Sequence, residues 1–342
     1  MQNYITASLL WLAVFLGCQQ AAPPDPVAKI QGRTMGTTYH IAAVSGPEGP
    51  RRLTRLQTKV DALLAEVNQQ MSTYDPESEL SRFNKSPAGE WFPVSPQLLK
   101  VVHAAKQISD ATDGAFDVTV GPAVNLWRFG PDKKRKAFPT DDEVNEARQL
   151  VGYQQVEIQS DPPALRKSQD NVYVDLSAIA KGYGVDAVFD LIREEGFTDF
   201  MVEIGGEVRA TGLKPNGDPW KIGIETPADE VRQYDLVVGL HDRALATSGD
   251  YRNFFQHDGQ RYSHTIDPKT GRPVTHDLAS ASVLFENCML ADGYATAFLV
   301  LGPIEGYNFA QEHNMAVFFQ MRKEDGTVET KATTAWQKYQ SN

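Results

Sequence analysis

From Lys29 to the C-terminus, runs with period-two alternation interleave with apolar runs at helical spacing, and no Pro/Ser-rich linker divides them. A chain patterned this way is expected to form one mixed α/β domain (α+β), with helices packed on mixed sheets. Its 342 residues would suffice for one large domain or two ordinary ones, and the missing linker favours one. Leu53, Leu56, Val60, Leu63, Leu64 and Val67 predict a helix. So do Leu98, Leu99, Val102, Ala105 and Ile108, behind the N-cap and first-turn proline Ser95-Pro96. Shorter helices are expected over Asp141–Leu150 and 289–301. Strands are expected within Lys29–Ala43, interrupted at Gly32 to Tyr39, and over Ala115–Val120, Val156–Ile158, Asn171–Asp175, Trp220–Glu225, Asp235–Val238 and Ala279–Leu284. Asp199–Ile204, Gly205-Gly206 and Glu207–Ala210 read as a hairpin with a two-residue turn, and Ala316–Met321 with Val328 as a closing one.

The chain carries 33 Lys+Arg against 44 Asp+Glu, a net charge of −11, which argues against a broad nucleic-acid surface. A protein this acidic that handles phosphates must neutralise them locally, with a cation or one or two lysines. The run Lys133-Lys-Arg-Lys136 reads as a solvated basic loop. Ile5 to Gly17 is almost wholly apolar, too short to span a bilayer and of the length of a signal-peptide core. Gly17-Cys18 after Val14-Phe15-Leu16 resembles the lipobox of bacterial lipoproteins, with Phe15 where leucine is usual and no Lys or Arg ahead of the core. On this reading residues 1–17 are a signal, Cys18 is acylated, residues 18–28 are a tether and 29–342 are the domain. The protein would then sit on the extracytoplasmic, periplasmic side of a bacterial membrane. A plain cleaved signal with an incidental cysteine is the alternative. Only Cys288 remains besides Cys18, so the mature chain has no internal disulfide.

Val174-Asp-Leu-Ser-Ala-Ile-Ala-Lys-Gly-Tyr-Gly-Val-Asp186 follows a strand-like run and opens an apolar-periodic one. A carboxylate at a strand end and a lysine at a helix start suit a phosphate or a metal-bound phosphate, though an ordinary βα unit also explains them. Gly182 and Gly184 each weaken a helix by roughly 1 kcal/mol against alanine, so close packing is expected there. No P-loop, dinucleotide fingerprint or His-Glu-x-x-His pair occurs. Lys269-Thr-Gly271 copies one motif of penicillin-recognising enzymes, but no Ser-x-x-Lys accompanies it. Asp292 and Thr296 lie four apart on a predicted helix, hence on one face, and offer hard oxygen ligands for magnesium; a core-facing hydrogen bond is the other reading. Tyr74, in the turn-rich Met71–Ser78, has a ring to stack on a flat ligand, and His264 sits beside a turn as a candidate base.

Together these pieces resemble the ApbE family, the FAD:protein FMN transferases, over essentially the whole mature chain. The carriers are Thr34-Met-Gly-Thr-Thr-Tyr39, Met71-Ser-Thr-Tyr-Asp75, Asp113-Gly-Ala-Phe-Asp117, Val174 to Asp186, Glu203-Ile-Gly-Gly206, Thr247-Ser-Gly-Asp-Tyr251, His264-Thr-Ile-Asp-Pro-Lys-Thr-Gly271 and Ala291-Asp-Gly-Tyr-Ala-Thr-Ala297. The resemblance implies a single T-fold-like domain in which FAD binds with its pyrophosphate bridged by Mg²⁺. Asp292, Thr296 and the Ala178 carbonyl would be metal ligands. Met35, Tyr74, Ala115, Phe116, Asp117, Asp175, Lys181 and Ile266 would line the flavin nucleotide. A threonine or serine hydroxyl of an acceptor, a flavin-carrying subunit of an electron-transfer complex, would take FMN in phosphoester linkage and release AMP. Lys181 would offset phosphoryl charge and His264 would take the proton. Gly293-Tyr294 stands where the family more often has a small aliphatic pair. Hydrolysis of FAD to FMN and AMP, or mere flavin binding by a lipoprotein, are the competing readings.

Overall fold

The computed structural model describes residues 27–46, 49–130, 137–227, 234–250, 254–257, 260–323 and 325–339; the expected signal segment, Cys18 and the basic run 133–136 lie outside them. One eight-stranded sheet organises these residues. Its strands are β1 (Val27–Thr34), β2 (Thr37–Val44), β3 (Phe200–Ile204), β4 (Glu207–Thr211), β5 (Arg243–Gly249), β6 (Leu278–Phe285), β7 (Ala316–Arg322) and β8 (Val328–Ala332). They lie side by side in chain order, every neighbouring pair antiparallel. The helices are α1 (Gly49–Met71), α2 (Glu79–Lys85), α3 (Pro96–Ala111), α4 (Gly121–Leu126), α5 (Asp141–Gln149), α6 (Ala180–Glu194), α7 (Cys288–Glu312) and α8 (Thr334–Gln337). The topology therefore runs twice through the same sequence, a hairpin, a helical insertion and a second hairpin. The first insertion holds α1–α6 and the second α7. No sequence repeat betrays this.

Strand alternation sorts the sheet's two faces. Ile41, Ala43, Val202 and Ile204 pack on α1 and α6, and Ala246, Val283, Val317 and Phe319 pack on α7. The opposite face, with Ala42, Val208, Ala210 and Phe318, is covered by the hairpin Trp220–Glu225/Tyr234–Leu240 and by Trp336 of α8. Two lobes flank this sandwich. One gathers α2, α3 and the small sheet of Phe92–Pro93, Ala164–Lys167 and Val156–Gln159. The other holds α4, α5 and the aromatic hairpin Phe254–His257/Gln260–Ser263.

The expected helix starts hold. Ser95 accepts the Leu98 N–H at 3.2 Å, and Thr140 with Glu143 forms a reciprocal capping box at α5. The Gly32–Tyr39 interruption proves to be part of a continuous hairpin. Gly32 pairs with Tyr39, and a Cβ on Gly32 would lie 2.4 Å from the Tyr39 ring. The turn is Met35-Gly36, both at positive φ (49° and 71°), the geometry of a tight two-residue hairpin.

Two expected strands do not form. Over 115–120 the Asp117 carboxylate accepts the Thr119 N–H at 2.8 Å, its hydroxyl at 2.6 Å and the Tyr153 N–H at 2.8 Å, which folds the segment into turns. Residues 172–175 join no sheet of the described residues. Asn84 bonds both the N–H and the carbonyl of Val174 at 2.8 Å, and Asp175 N–H reaches Val118 O at 2.7 Å. Val156–Gln159 pairs with Ala164–Lys167, a strand not expected from the sequence.

Helix α7 extends past its expected end at 301 but is broken at Gly302 (φ 76°, ψ −175°). Pro303 has no N–H for the carbonyl one turn back, Leu299, and His276 Nε2–H donates to that carbonyl instead at 2.8 Å. Among the described residues no helix is long and apolar enough to cross a membrane.

A candidate phosphate and metal site between two helix starts

Helices α6 and α7 begin side by side, and each start is finished by a carboxylate from the other helix. Ile179, the residue before α6, has no side-chain oxygen to cap it. Asp292 of α7 supplies one, its Oδ2 accepting the Gly182 N–H at 2.9 Å. In return Asp186 of α6 accepts the N–H groups of Cys288 and Met289 at 2.9 Å each, and Arg209 Nη1 donates to it at 2.8 Å. Carboxylates are favoured at helix N-termini by the macrodipole and the orphan N–H groups. So close a crossing needs Gly182, whose Cβ would lie 2.3 Å from the Cys288 carbonyl oxygen. Gly184 meets instead the Met35 Cε, at 2.9 Å, and Gly293 the Ile108 Cδ1, at 2.4 Å, both movable ends of side chains.

Above this junction opens a cavity of about 420 Å³. Tyr74, Ala115, Phe116, Asp117, Asp175, Ala178, Lys181, His264, Ile266, Asp292 and Thr296 all line it, so the residues expected from the sequence converge from five separate stretches. Met35 lines a second cavity of about 540 Å³, which adjoins the first through Tyr74, Ser177 and Lys181. Tyr74 stands between the two, 69% exposed. His264 sets its ring edge-on to Phe129, centroids 6.2 Å apart. Asp117 lines the cavity with its carboxylate committed to Thr119 and Tyr153, and burial raises its pKa above the usual carboxylate range. Asp175 Oδ1 accepts the Ser177 N–H at 2.9 Å and hydroxyl at 2.6 Å.

Four carboxylates (Asp117, Asp175, Glu207 and Asp292) and one lysine, Lys181, line this cavity among the described residues. Burial opposes the Lys181 charge, but Asp292 and Glu207 outweigh it and hold its pKa above the ordinary lysine range. Lys181 Nζ pairs with Glu207 Oε1 and lies 3.8 Å from Asp292 Oδ1. Burial pushes the Asp292 and Glu207 pKa values up, while Lys181 pulls both down. Glu207 was missed by sequence reasoning. Only its place directly after the Gly205-Gly206 turn hinted at it. Ser248 was likewise not singled out, and its Oγ lies 3.0 Å from Thr296 Oγ1.

Among the described residues no cluster of three or more His, Cys, Asp or Glu side chains could hold a metal ion. The donors suited to a hard cation are mixed oxygens. Among the described residues Asp292 Oδ1 makes no hydrogen bond, the Lys181 ammonium stopping 3.8 Å away, the Ala178 carbonyl accepts none, and the Thr296 hydroxyl lies one turn beyond Asp292. Magnesium accepts such a set and fills its remaining positions with water or phosphate oxygens. The residues fit the ion, and an excess of carboxylates over the single lysine in the cavity lining favours a cation beside any bound phosphate.

A fold and a site of this kind define a family. The ApbE family model matches residues 35–319, and the chain belongs to that family. It is 46% identical over 331 residues to the FAD:protein FMN transferase of Vibrio cholerae, covering 96% of each chain. Among solved structures, the flavin transferase ApbE from Vibrio cholerae superposes with a TM-score of 0.84 at 44% identity, covering 92% of this chain and 100% of that one. The Pseudomonas stutzeri flavinyl transferase ApbE, in its apo form, gives 0.84 at 38% identity, covering 93% and 98%.

Proposed function

We propose that this protein is an FAD:protein FMN transferase. It would move the FMN moiety of FAD, with Mg²⁺, onto a threonine or serine hydroxyl of an acceptor protein and release AMP. The carrying observation is the junction of α6 and α7, where a buried carboxylate oxygen without a hydrogen bond among the described residues and a charged lysine meet at the floor of a cavity with aromatic walls. The names of the relatives support the same reading.

In this account Tyr74 and Phe116 take the flat flavin, and Lys181 binds the pyrophosphate oxygens. The acceptor oxygen attacks the phosphorus on the FMN side. Its P–O bond forms as the anhydride bond to AMP breaks, AMP leaves with the bridging oxygen, and the hydroxyl proton passes to His264. Mg²⁺, held by Asp292, Thr296 and the Ala178 carbonyl, would neutralise charge on the pyrophosphate. Lys181 adds a fixed positive charge at no cost of reorganisation.

The test incubates the protein with FAD, Mg²⁺ and an acceptor bearing an Asp-x-x-Ser/Thr-Gly-Ala-Thr/Ser-like segment. Flavin fluorescence that stays on the denatured acceptor, with AMP in equal amount, is expected. Free FMN without labelled acceptor would instead identify a pyrophosphatase, and bound FAD without AMP a flavin carrier. For the base, His264→Ala should change the rate profile between about pH 6 and 9, and identical profiles would remove the assignment. We also propose that acylation at Cys18 holds the protein on the outer side of a bacterial cell membrane, a reading supported by the apolar run Ile5–Gly17. Cys18→Ala should then move it to the soluble fraction.

A further inference from the structure

Glu207 is a buried charge in the cavity wall. It opens β4 directly after Gly205-Gly206, and its side chain is 4% exposed. One oxygen takes the Lys181 ammonium. The other, Oε2, is buried with no hydrogen-bond partner among the described residues. A carboxylate kept only for stability is normally satisfied at both oxygens, and an unsatisfied one calls for a functional reason. The backbone here makes room for the pairing: Gly205 sits at φ 63°, and a Cβ there would lie 2.9 Å from Thr37 and 3.5 Å from the Lys181 stem.

Lys181 has two carboxylates to choose between. It contacts Glu207 and stops 3.8 Å short of Asp292 Oδ1. Without the Glu207 charge, the ammonium would move the short remaining distance onto Asp292 and occupy the oxygen that a cation would use.

We propose that Glu207 is a positioning residue. It holds the Lys181 ammonium away from Asp292 so that Oδ1 stays open to the divalent cation, while Lys181 still faces the phosphate position. The inference rests on the cation reading above and assigns Glu207 no contact with the metal.

The test is Mn²⁺ titration of the FAD-free protein, read by electron paramagnetic resonance, with wild type, Glu207→Gln, Glu207→Asp, Lys181→Met and the pair Glu207→Gln/Lys181→Met. Glu207→Gln should weaken Mn²⁺ binding about tenfold, the usual scale for a lost supporting partner, and Glu207→Asp by less. In the Lys181→Met background, with no ammonium left to hold, Glu207→Gln should have no further effect. Unchanged affinity in a folded Glu207→Gln protein overturns the proposal. So does a loss of the same size in the Lys181→Met background, because it makes Glu207 a ligand. Should Glu207→Gln not fold, the Glu207→Asp comparison in both backgrounds decides in the same way. Asp292→Asn separates the two levels: if it binds Mn²⁺ like wild type, the cation reading itself falls, whatever Glu207 does.

Discussion

The two helix starts that meet beneath the cavity look alike in topology and differ in self-sufficiency. Helix α7 carries its own cap, Asn287, which accepts the Leu290 N–H at 2.9 Å, and Asp186 adds two further acceptors. Among the described residues helix α6 has only Asp292. The carboxylate that finishes α6 is thus the one whose other oxygen is open at the cavity floor, whereas Asp186 is consumed entirely by structure. The duplicated topology supplies one acid per half. Only the second half's acid lines the cavity.

The largest expected effect breaks that asymmetry at its functional end. Asp292→Ala should lower AMP release by about 10³-fold, the scale of a lost electrostatic stabiliser, and unchanged release would end the metal assignment. Asp186→Ala should act on stability instead. It orphans two N–H groups and leaves Arg209, 18% exposed, without its carboxylate, costing about 3 kcal/mol in urea unfolding. If Asp186→Ala proved as inactive as Asp292→Ala while remaining folded, the division of labour would be wrong. Gly182→Ala should cost about 2–3 kcal/mol because its Cβ meets backbone, and Gly184→Ala about 1 kcal/mol because its Cβ meets the movable end of Met35. Equal losses at the two glycines would contradict the crossing described here.

The same contrast explains what could be read from the sequence. Lys181, Asp292, Thr296 and the Asp113–Asp117 turn stand in compact local patterns, so the residues and their order were legible. The reciprocity of Asp186 and Asp292 was not, because each contact spans more than a hundred residues and only folding creates it. Glu207 stayed hidden for a related reason: its partner comes from another element, and a carboxylate after a glycine turn is ordinary on a surface. The strands misread at 115–120 and 171–175 fail on a more local cause. Asp117 and Asn84 side chains take the backbone groups that a sheet ladder would have used.

The most direct test keeps the cap and removes the charge. In Asp292→Asn the amide oxygen can still accept the Gly182 N–H, so the melting temperature should stay within a few degrees of wild type, a change of about 1 kcal/mol. Covalent flavin on the acceptor should nonetheless fall by about a hundredfold or more. Wild-type labelling by a folded Asp292→Asn protein would contradict the claim that this oxygen, held open at the crossing of two helix starts, carries the reaction.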